Sequence, residues 1–118
     1  MAKKILVVDD DPVVVKYIES VLADNGYETC SAGGGVEALE MVKDERPDLI
    51  TLDLEMPDEW GPKFYRRLVK DKENEDIPIL IISGMSGRHL SIRKAVGYLA
   101  KPFDPAEMVK LVREALGE

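Results

Sequence analysis

Near its start the chain reads Ile5-Leu6-Val7-Val8-Asp9-Asp10-Asp11-Pro12. Its aliphatic residues form a continuous run, which is typical of a strand covered on both faces in a parallel sheet. Asp11 followed by Pro12 indicates a helix start, because the Asp side chain accepts from unpaired backbone N–H groups and proline suits the first turn. The stretch therefore predicts a strand that runs directly into a helix, with acidic residues at the junction.

The same alternation of strand and helix continues along the chain. Aliphatic runs predict strands at residues 49–52, 79–82 and, more weakly, 97–100, and the more polar segment 27–31 predicts a strand nearer an edge. Strands that alternate with helices pair in parallel through right-handed crossovers. We therefore predict an α/β fold of order β-α-β-α-β-α-β-(short α)-β-α, forming one domain over residues 1–118.

The predicted helices have recognisable ends and apolar faces. The first runs from Pro12 to Gly26, and the second stops before Pro47. The third opens at Pro62, and the last begins with the pair Asp104-Pro105. The positions expected to face the core are Val14, Val15, Ile18, Val21, Leu22, Val36, Leu39, Met41, Val42, Phe64, Leu68, Val69, Met108, Leu111, Val112 and Leu116.

Composition limits the classes of function. The 118 residues carry a net charge of -7, and an acidic surface repels nucleic-acid phosphates, so we expect no direct nucleic-acid binding. The single cysteine, Cys30, cannot form an internal disulfide, which suits a reducing compartment. No apolar run approaches the roughly 18 residues of a membrane span, and the run after Met1 is too short for a signal peptide. We expect a cytoplasmic protein that does not contact a membrane.

Polar residues follow four of the predicted strands. Asp9 and Asp10 come after the first strand and Asp53 after the third. Ser83 comes after the fourth and Lys101 after the fifth. Because open α/β sheets place their sites at the carboxyl ends of the strands, we expect these residues to meet at one edge of the sheet.

The carboxylates at this edge need a counter-charge, because clustered carboxylates repel one another unless a cation lies among them. Oxygen ligands indicate Mg²⁺ or Mn²⁺ rather than Zn²⁺, since the lone His89 and Cys30 do not supply a zinc set. A carboxylate beside such an ion can attack phosphorus and form an acyl phosphate, whose oxygens the ion and an ammonium neutralise. The residue types therefore fit phosphoryl transfer to a carboxylate, and Asp11 is expected to be a helix cap.

Four segments, in this order, resemble the receiver domain of response regulators, the phosphoacceptor domain of two-component signalling. They are Ile5 to Pro12, Leu52-Asp53-Leu54-Glu55-Met56-Pro57, Ile81-Ile82-Ser83-Gly84 and Tyr98-Leu99-Ala100-Lys101-Pro102-Phe103. The resemblance runs through nearly the whole chain. It implies a flavodoxin-like, doubly wound parallel sheet of five strands in the order 2-1-3-4-5, with helices on both faces.

The resemblance also implies a role for each site residue. Asp53 would accept the phosphoryl group. Asp9 and Asp10, together with Asp53 and the backbone carbonyl of Glu55, would hold Mg²⁺. Lys101 would pair with a phosphoryl oxygen.

Two further residues would carry the switch that the resemblance implies. Ser83 would hydrogen-bond another phosphoryl oxygen and move toward it, and Tyr98 would then turn inward. This movement would change the face made by the last two strands and helices, where partners dock. The implied partners are a sensor histidine kinase or phosphotransfer protein and an unidentified downstream protein. The domain would catalyse only its own phosphorylation and dephosphorylation.

Three features depart from the family's usual pattern. The segment from Ser83 to Lys101 is shorter than usual by about one helical turn. The fourth helix, Arg88 to Ala95 at most, is therefore expected to be shortened or absent. Glu55 adds a carboxylate after the phosphoacceptor, either as a solvent-facing loop residue or as a group that disfavours or redirects an attacking water. Trp60 is bulky where a small or aliphatic residue is common. It is either a partner contact or, as we expect, packed against the third helix.

Two other functions stay open. One is a Mg²⁺-dependent phosphatase of the haloacid-dehalogenase kind, whose nucleophile and second acidic residue Asp53-Leu54-Glu55 loosely matches. That nucleophile follows the first strand, however, whereas Asp53 follows the third. The other is a receiver-like protein-binding module that works without phosphorylation. The short fourth helix favours this module, and the presence of every site residue disfavours it. With no output domain after Glu118, the chain would be a stand-alone relay or part of a longer regulator.

Overall fold

Five strands and four helices form the described parts of the chain. The computed structural model describes residues 2–55, 60–84 and 95–118, with the backbone alone for 60–62. The strands are β1 (Lys4–Val8), β2 (Glu28–Ala32), β3 (Leu49–Leu52), β4 (Ile79–Ser83) and β5 (Ala95–Ala100). The helices are α1 (Pro12–Asp24), α2 (Gly35–Glu45), α3 (Trp60–Leu68) and α4 (Pro105–Ala115). All neighbouring strands are parallel, in the order β2-β1-β3-β4-β5, which confirms the predicted fold class and strand order.

The sheet separates two apolar clusters. In β1, Leu6 and Val8 face one cluster and Ile5 and Val7 face the other, because successive side chains of a strand point to opposite faces. Helices α2 and α3 cover the first cluster, and α1 and α4 cover the second. Their buried side chains are Ala38, Val42, Phe64 and Leu68 on one side, and Ile18, Leu22, Met108 and Val112 on the other. Both faces of β1 are therefore packed, so the residues that follow it start from a fixed backbone.

Two helices begin with the capping pairs seen in the sequence. Asp11 Oδ1 accepts a hydrogen bond from the Val13 N–H at 2.9 Å, and Asp104 Oδ1 accepts one from the Ala106 N–H at 2.9 Å. Each cap contributes about 1 kcal/mol of stability. Asp11 is therefore a helix cap, as predicted.

Two helix details differ from the prediction. Helix α3 begins at Trp60 rather than Pro62, because a proline within the first turn removes no hydrogen bond of the helix. Val36, predicted to face the core, is 56% exposed. It lies two residues before the buried Ala38, and at about 100° per residue this places it on the opposite side of α2.

The region around β5 also departs from the prediction. Strand β5 begins at Ala95, so the helix expected over Arg88 to Ala95 does not include Ala95, and residues 88–94 lie outside the described residues. Gly97 gives β5 close contact with its neighbours. A Cβ there would lie 3.1 Å from Leu80 Cδ1 and 3.3 Å from Leu111 Cδ1.

Candidate functional site

Four strands of the sheet deliver polar residues to its carboxyl edge. In the strand register Val8 pairs with Leu52, so Asp9 and Asp53 follow paired residues, and Ser83 pairs with Ala100, the residue before Lys101. Backbone hydrogen bonds extend this register beyond the strands: the Asp53 N–H donates to the Val8 carbonyl at 2.9 Å, and the Lys101 N–H donates to the Ser83 carbonyl at 3.0 Å. The residues expected at this edge from sequence therefore do meet there.

Three carboxylates form the centre of the site. Asp9, Asp10 and Asp53 each offer an oxygen, and these oxygens lie within 4.8 Å of one another. Asp9 and Asp53 are buried, whereas Asp10 is exposed. Across residues 2–55, 60–84 and 95–118, this is the only such cluster of His, Cys, Asp or Glu groups. All its donors are oxygens, so it fits a hard divalent cation rather than zinc.

Lys101 places an ammonium group against these carboxylates. Its Nζ lies 2.8 Å from Asp9 Oδ2 and 3.6 Å from Asp53 Oδ2. Burial by itself lowers the pKa of Lys101, but the hydrogen bond to Asp9 and the charges of Asp53, Asp9 and Glu55 outweigh it, so the pKa is raised. Lys101 therefore stays charged. From the end of β5 it pairs with Asp9, which follows β1, and with Asp53, which follows β3.

Asp53 is a buried carboxyl with a strongly shifted pKa. Burial raises its pKa to about 6, the charges of Asp9 and Glu55 add to the rise, and Lys101 and a backbone hydrogen bond oppose it. That hydrogen bond runs from the Glu55 N–H to Asp53 Oδ1 at 3.0 Å. The raised pKa therefore reflects mainly the burial of the carboxyl, with a smaller contribution from the neighbouring carboxylates, and a bound cation would oppose both effects.

Glu55 reaches further into the site than its sequence position suggested. Its side chain is exposed, yet Oε1 accepts a hydrogen bond from the Ser83 hydroxyl at 2.9 Å. A Cβ at Gly84 would lie only 2.9 Å from the same oxygen, so the glycine leaves room for the carboxylate. The pair Ser83-Gly84 was the only signal in the sequence for this contact. The predicted role of the Glu55 carbonyl stays a prediction.

The remaining predicted residues are less fully described. Tyr98 lies in β5 with 43% of its surface exposed, and its switch role stays a prediction. The Trp60 side chain and residues 85–94 lie outside the described residues, so the expected packing of Trp60 also stays a prediction. None of the helices that the structure describes is long and apolar enough to cross a membrane.

Comparison with known proteins identifies the class. A family model of the response regulator receiver domain matches residues 5–113. The chain therefore belongs to the response regulator receiver domain family, and its function is two-component phosphorelay signalling. Nothing in the comparisons favours the phosphatase or the phosphorylation-independent module.

Individual relatives agree with this assignment. Protein Rrf1 of Nitratidesulfovibrio vulgaris is 39% identical over 116 residues, which is 98% of this chain and 84% of Rrf1. The polar-differentiation response regulator DivK of Brucella anthropi is 29% identical over 122 residues, covering 100% of this chain and 99% of DivK. Among solved structures, the chemotaxis response regulator CheY4 of Vibrio cholerae superposes with a TM-score of 0.87 at 29% identity, covering 98% of this chain and 100% of CheY4.

Proposed function

We propose that Asp53 is the phosphoryl acceptor of this receiver domain and that residues 1–118 form one such domain. The observation that carries the proposal is the surroundings of Asp53: the carboxyl is buried, and an ammonium and two further carboxylates that fit a cation lie beside it. In the reaction, an Asp53 oxygen attacks the phosphorus of a phosphohistidine. The new O–P bond forms as the P–N bond breaks, and the electron pair leaves with the imidazole nitrogen. The domain's own catalysis is limited to gaining and losing this group.

The acidic cluster is the proposed site of Mg²⁺. Asp9, Asp10, Asp53 and the backbone carbonyl of Glu55 would hold the ion, which supplies charge neutralisation for the phosphoryl oxygens when bound. Lys101 already lies against two of these carboxylates and would pair with a phosphoryl oxygen. Its raised pKa keeps the ammonium charged at neutral pH.

The phosphorylated state would be recognised through Ser83 and Tyr98. Ser83 ends β4, and its hydroxyl would donate to a phosphoryl oxygen. Tyr98 pairs with Ile81 in the register of β4 and β5. Its side chain is 43% exposed, so an inward turn would alter the surface beside β5. A downstream protein would read this change.

An apolar surface at the mouth of the site is the proposed docking face for the phosphodonor. Val13 and Tyr17 of α1 are 75% and 47% exposed, and the Tyr17 and Phe103 rings are 5.8 Å apart. With Lys101 and Pro102 they line a groove of about 560 Å³. A histidine kinase or phosphotransfer protein must bring its phosphohistidine to Asp53, and exposed apolar side chains beside that path would contact it. We propose that this exchange takes place in the cytoplasm.

The first test is the mass of the protein after incubation with acetyl phosphate, with and without Mg²⁺. We expect one added phosphoryl group that requires Mg²⁺ and is absent in Asp53→Ala. Asp76→Ala, at an exposed carboxylate far along the chain, is the control and should be labelled normally. Labelling of Asp53→Ala at another residue would refute the site assignment. If no adduct forms, beryllofluoride binding separates a short-lived acyl phosphate from a protein that does not bind phosphoryl groups.

The role of Lys101 has its own test. In Lys101→Ala, Mg²⁺-dependent labelling should persist while the change at Tyr98 on phosphorylation, followed by its NMR resonances, is lost. The variant should also be less stable by about 3 kcal/mol, because Asp9 is left buried without its partner. A normal Tyr98 response in this variant would remove Lys101 from the signalling step.

Docking can be separated from chemistry. Tyr17→Ala should slow phosphoryl transfer from a phosphorylated donor protein at least tenfold, on the order of a single interface anchor. Its rate with acetyl phosphate should be unchanged, because a small donor does not need the apolar surface. Equal slowing with both donors would show that the variant damages the site itself.

A further inference from the structure

Glu55 contacts both the proposed acceptor, Asp53, and the residue proposed to bind a phosphoryl oxygen, Ser83. Its backbone N–H donates to Asp53 Oδ1 at 3.0 Å, which fixes the loop beside the acceptor carboxyl. Its side-chain Oε1 accepts from the Ser83 hydroxyl at 2.9 Å. Ser83 is buried with 5% of its surface exposed, whereas Glu55 is exposed.

A serine hydroxyl has one proton and can donate one hydrogen bond. In the structure that proton is directed to Glu55, and a phosphoryl oxygen on Asp53 would require the same proton. The two acceptors are both anionic, so they also repel each other at short range. The Ser83 hydroxyl therefore serves either Glu55 or the phosphoryl group at one time.

We infer that Glu55 is a built-in competitor of the phosphoryl group for the Ser83 hydroxyl, and that it holds the unphosphorylated arrangement of the site. This inference rests on the proposed function of Asp53. Glu55 acts through Ser83 and is a positioning residue. Because its side chain is exposed, the carboxylate can turn into water when it is displaced, so the competition is reversible.

The competition raises the free energy of the switched state relative to the unswitched one. A hydrogen bond to a charged group is stronger than a neutral one, and the phosphoryl group must replace it before Ser83 can respond. Removing the side-chain carboxylate should therefore favour the phosphorylated arrangement. The substitution keeps the Glu55 backbone carbonyl and the three Asp side chains that are the proposed ligands of the cation.

The test is a double-mutant cycle read by beryllofluoride binding in Mg²⁺, with calorimetry on wild type, Glu55→Ala, Ser83→Ala and the double variant. We expect Glu55→Ala to bind beryllofluoride about five- to tenfold more tightly than wild type, and Glu55→Gln, which keeps a neutral acceptor, to lie between them. In the Ser83→Ala background the same Glu55→Ala change should give less than about a twofold gain, because no hydroxyl is left to compete for.

A readout without any ligand supports the cycle. The Ser83 ¹³Cβ resonance of the metal-free protein should shift in Glu55→Ala, because the hydroxyl loses its charged acceptor. Glu75→Gln, at an exposed position, removes the same charge elsewhere and should leave both the resonance and the affinity unchanged.

Each other result is decisive. An equal gain in the Ser83→Ala background would show that Glu55 acts by charge alone and would overturn the inference. An unchanged affinity in Glu55→Ala, or an unmoved Ser83 resonance, would overturn it as well. In all these cases wild type still binds beryllofluoride, so the proposed function stands. Failure of wild type to bind it at all would instead refute the proposed function and the inference with it.

Discussion

The interior of the central strands and their carboxyl ends differ in character although they are adjacent in sequence. Leu52 is fully buried in an apolar cluster, whereas the next residue, Asp53, is buried to a similar extent and carries a carboxyl group. Val8 and Asp9 show the same change. In the interior, burial stabilises the fold by about 25 cal/mol per Å² of apolar surface. At the edge, burial raises the pKa of Asp53 to about 6, because the ionised form is disfavoured. The interior supplies the stability that keeps the carboxylates close together.

The interior can be weakened without touching the edge. Phe64 of α3 is fully buried in the cluster under α2 and α3. Phe64→Ala should lower the free energy of unfolding by about 3–5 kcal/mol, through lost burial and the cavity left behind. Urea unfolding measures the change. Val36→Ala, at an exposed position, should stay within about 0.5 kcal/mol of wild type. Similar losses in both variants would mean that the cluster does not carry the stability.

Removing a charge at the carboxyl edge of the sheet should instead raise the stability of the protein. In metal-free buffer at pH 7.5, Asp53→Asn should raise the free energy of unfolding by about 1–2 kcal/mol, because the ionised carboxyl is disfavoured by burial and by Asp9. The folded-state pKa of about 6 exceeds the usual 3.8, so the stability that wild type gains from this group is present below pH 4 and is lost as the pH rises to 6. The advantage of Asp53→Asn should therefore grow over that range.

Mg²⁺ provides the control for this variant. The ion should stabilise wild type and reduce the difference from Asp53→Asn, since it binds the folded carboxylates. If Asp53→Asn is less stable than wild type at pH 7.5, the ionised carboxyl of Asp53 does not lower the stability of the fold, contrary to our expectation.

Close packing beside β5 predicts a smaller loss. Gly97→Ala should lower the free energy of unfolding by about 1–2 kcal/mol, because the added methyl group meets Leu80 and Leu111 at 3.1 and 3.3 Å. Gly33→Ala is the matched control, since a Cβ there has nothing within 4 Å. If both variants keep wild-type stability in urea, the side chains around Gly97 can shift more than the structure suggests.

Cys30 gives the smallest predicted effect and extends the comparison to a group away from the site. Burial raises the pKa of its thiol to about 11 from 9.0, so the folded protein holds the proton more tightly than the unfolded chain. Its contribution to stability is present below pH 9 and is lost as the pH rises to 11. Wild type should lose about 1 kcal/mol more than Cys30→Ala between pH 8 and pH 10. Parallel losses would indicate that the thiol ionises freely in the folded state.

Much of this architecture could be predicted from sequence because it depends on local patterns. The aliphatic runs and the Asp-Pro pairs fixed the places of β1, α1 and α4, and parallel topology then required Asp53 and Lys101 to meet. Each inference needed only side-chain chemistry and the known direction of strands.

The rest depended on tertiary contacts that no local pattern carries. The hydrogen bond from Ser83 to Glu55 depends on the path of the loop after β3, and the space for it depends on Gly84. The sequence pattern placed Val36 in the correct helix but on the wrong face. The buried face of α2 is the one that carries Ala38 and Val42. The predicted switch movement of Tyr98 depends on a second state of the site and cannot be deduced from one sequence.

The sheet divides the molecule so that α1 packs with α4 on one side and α2 with α3 on the other. The proposed docking face, with Val13, Tyr17 and Phe103, lies only on the side of the sheet that α1 and α4 cover. Substitutions that change partner choice there need no compensation beneath α2 and α3. Duplicated genes encoding such a domain could therefore diverge in partner specificity through substitutions in the α1 and α4 layer alone. The carboxylates at the edge of the sheet would keep the same chemistry.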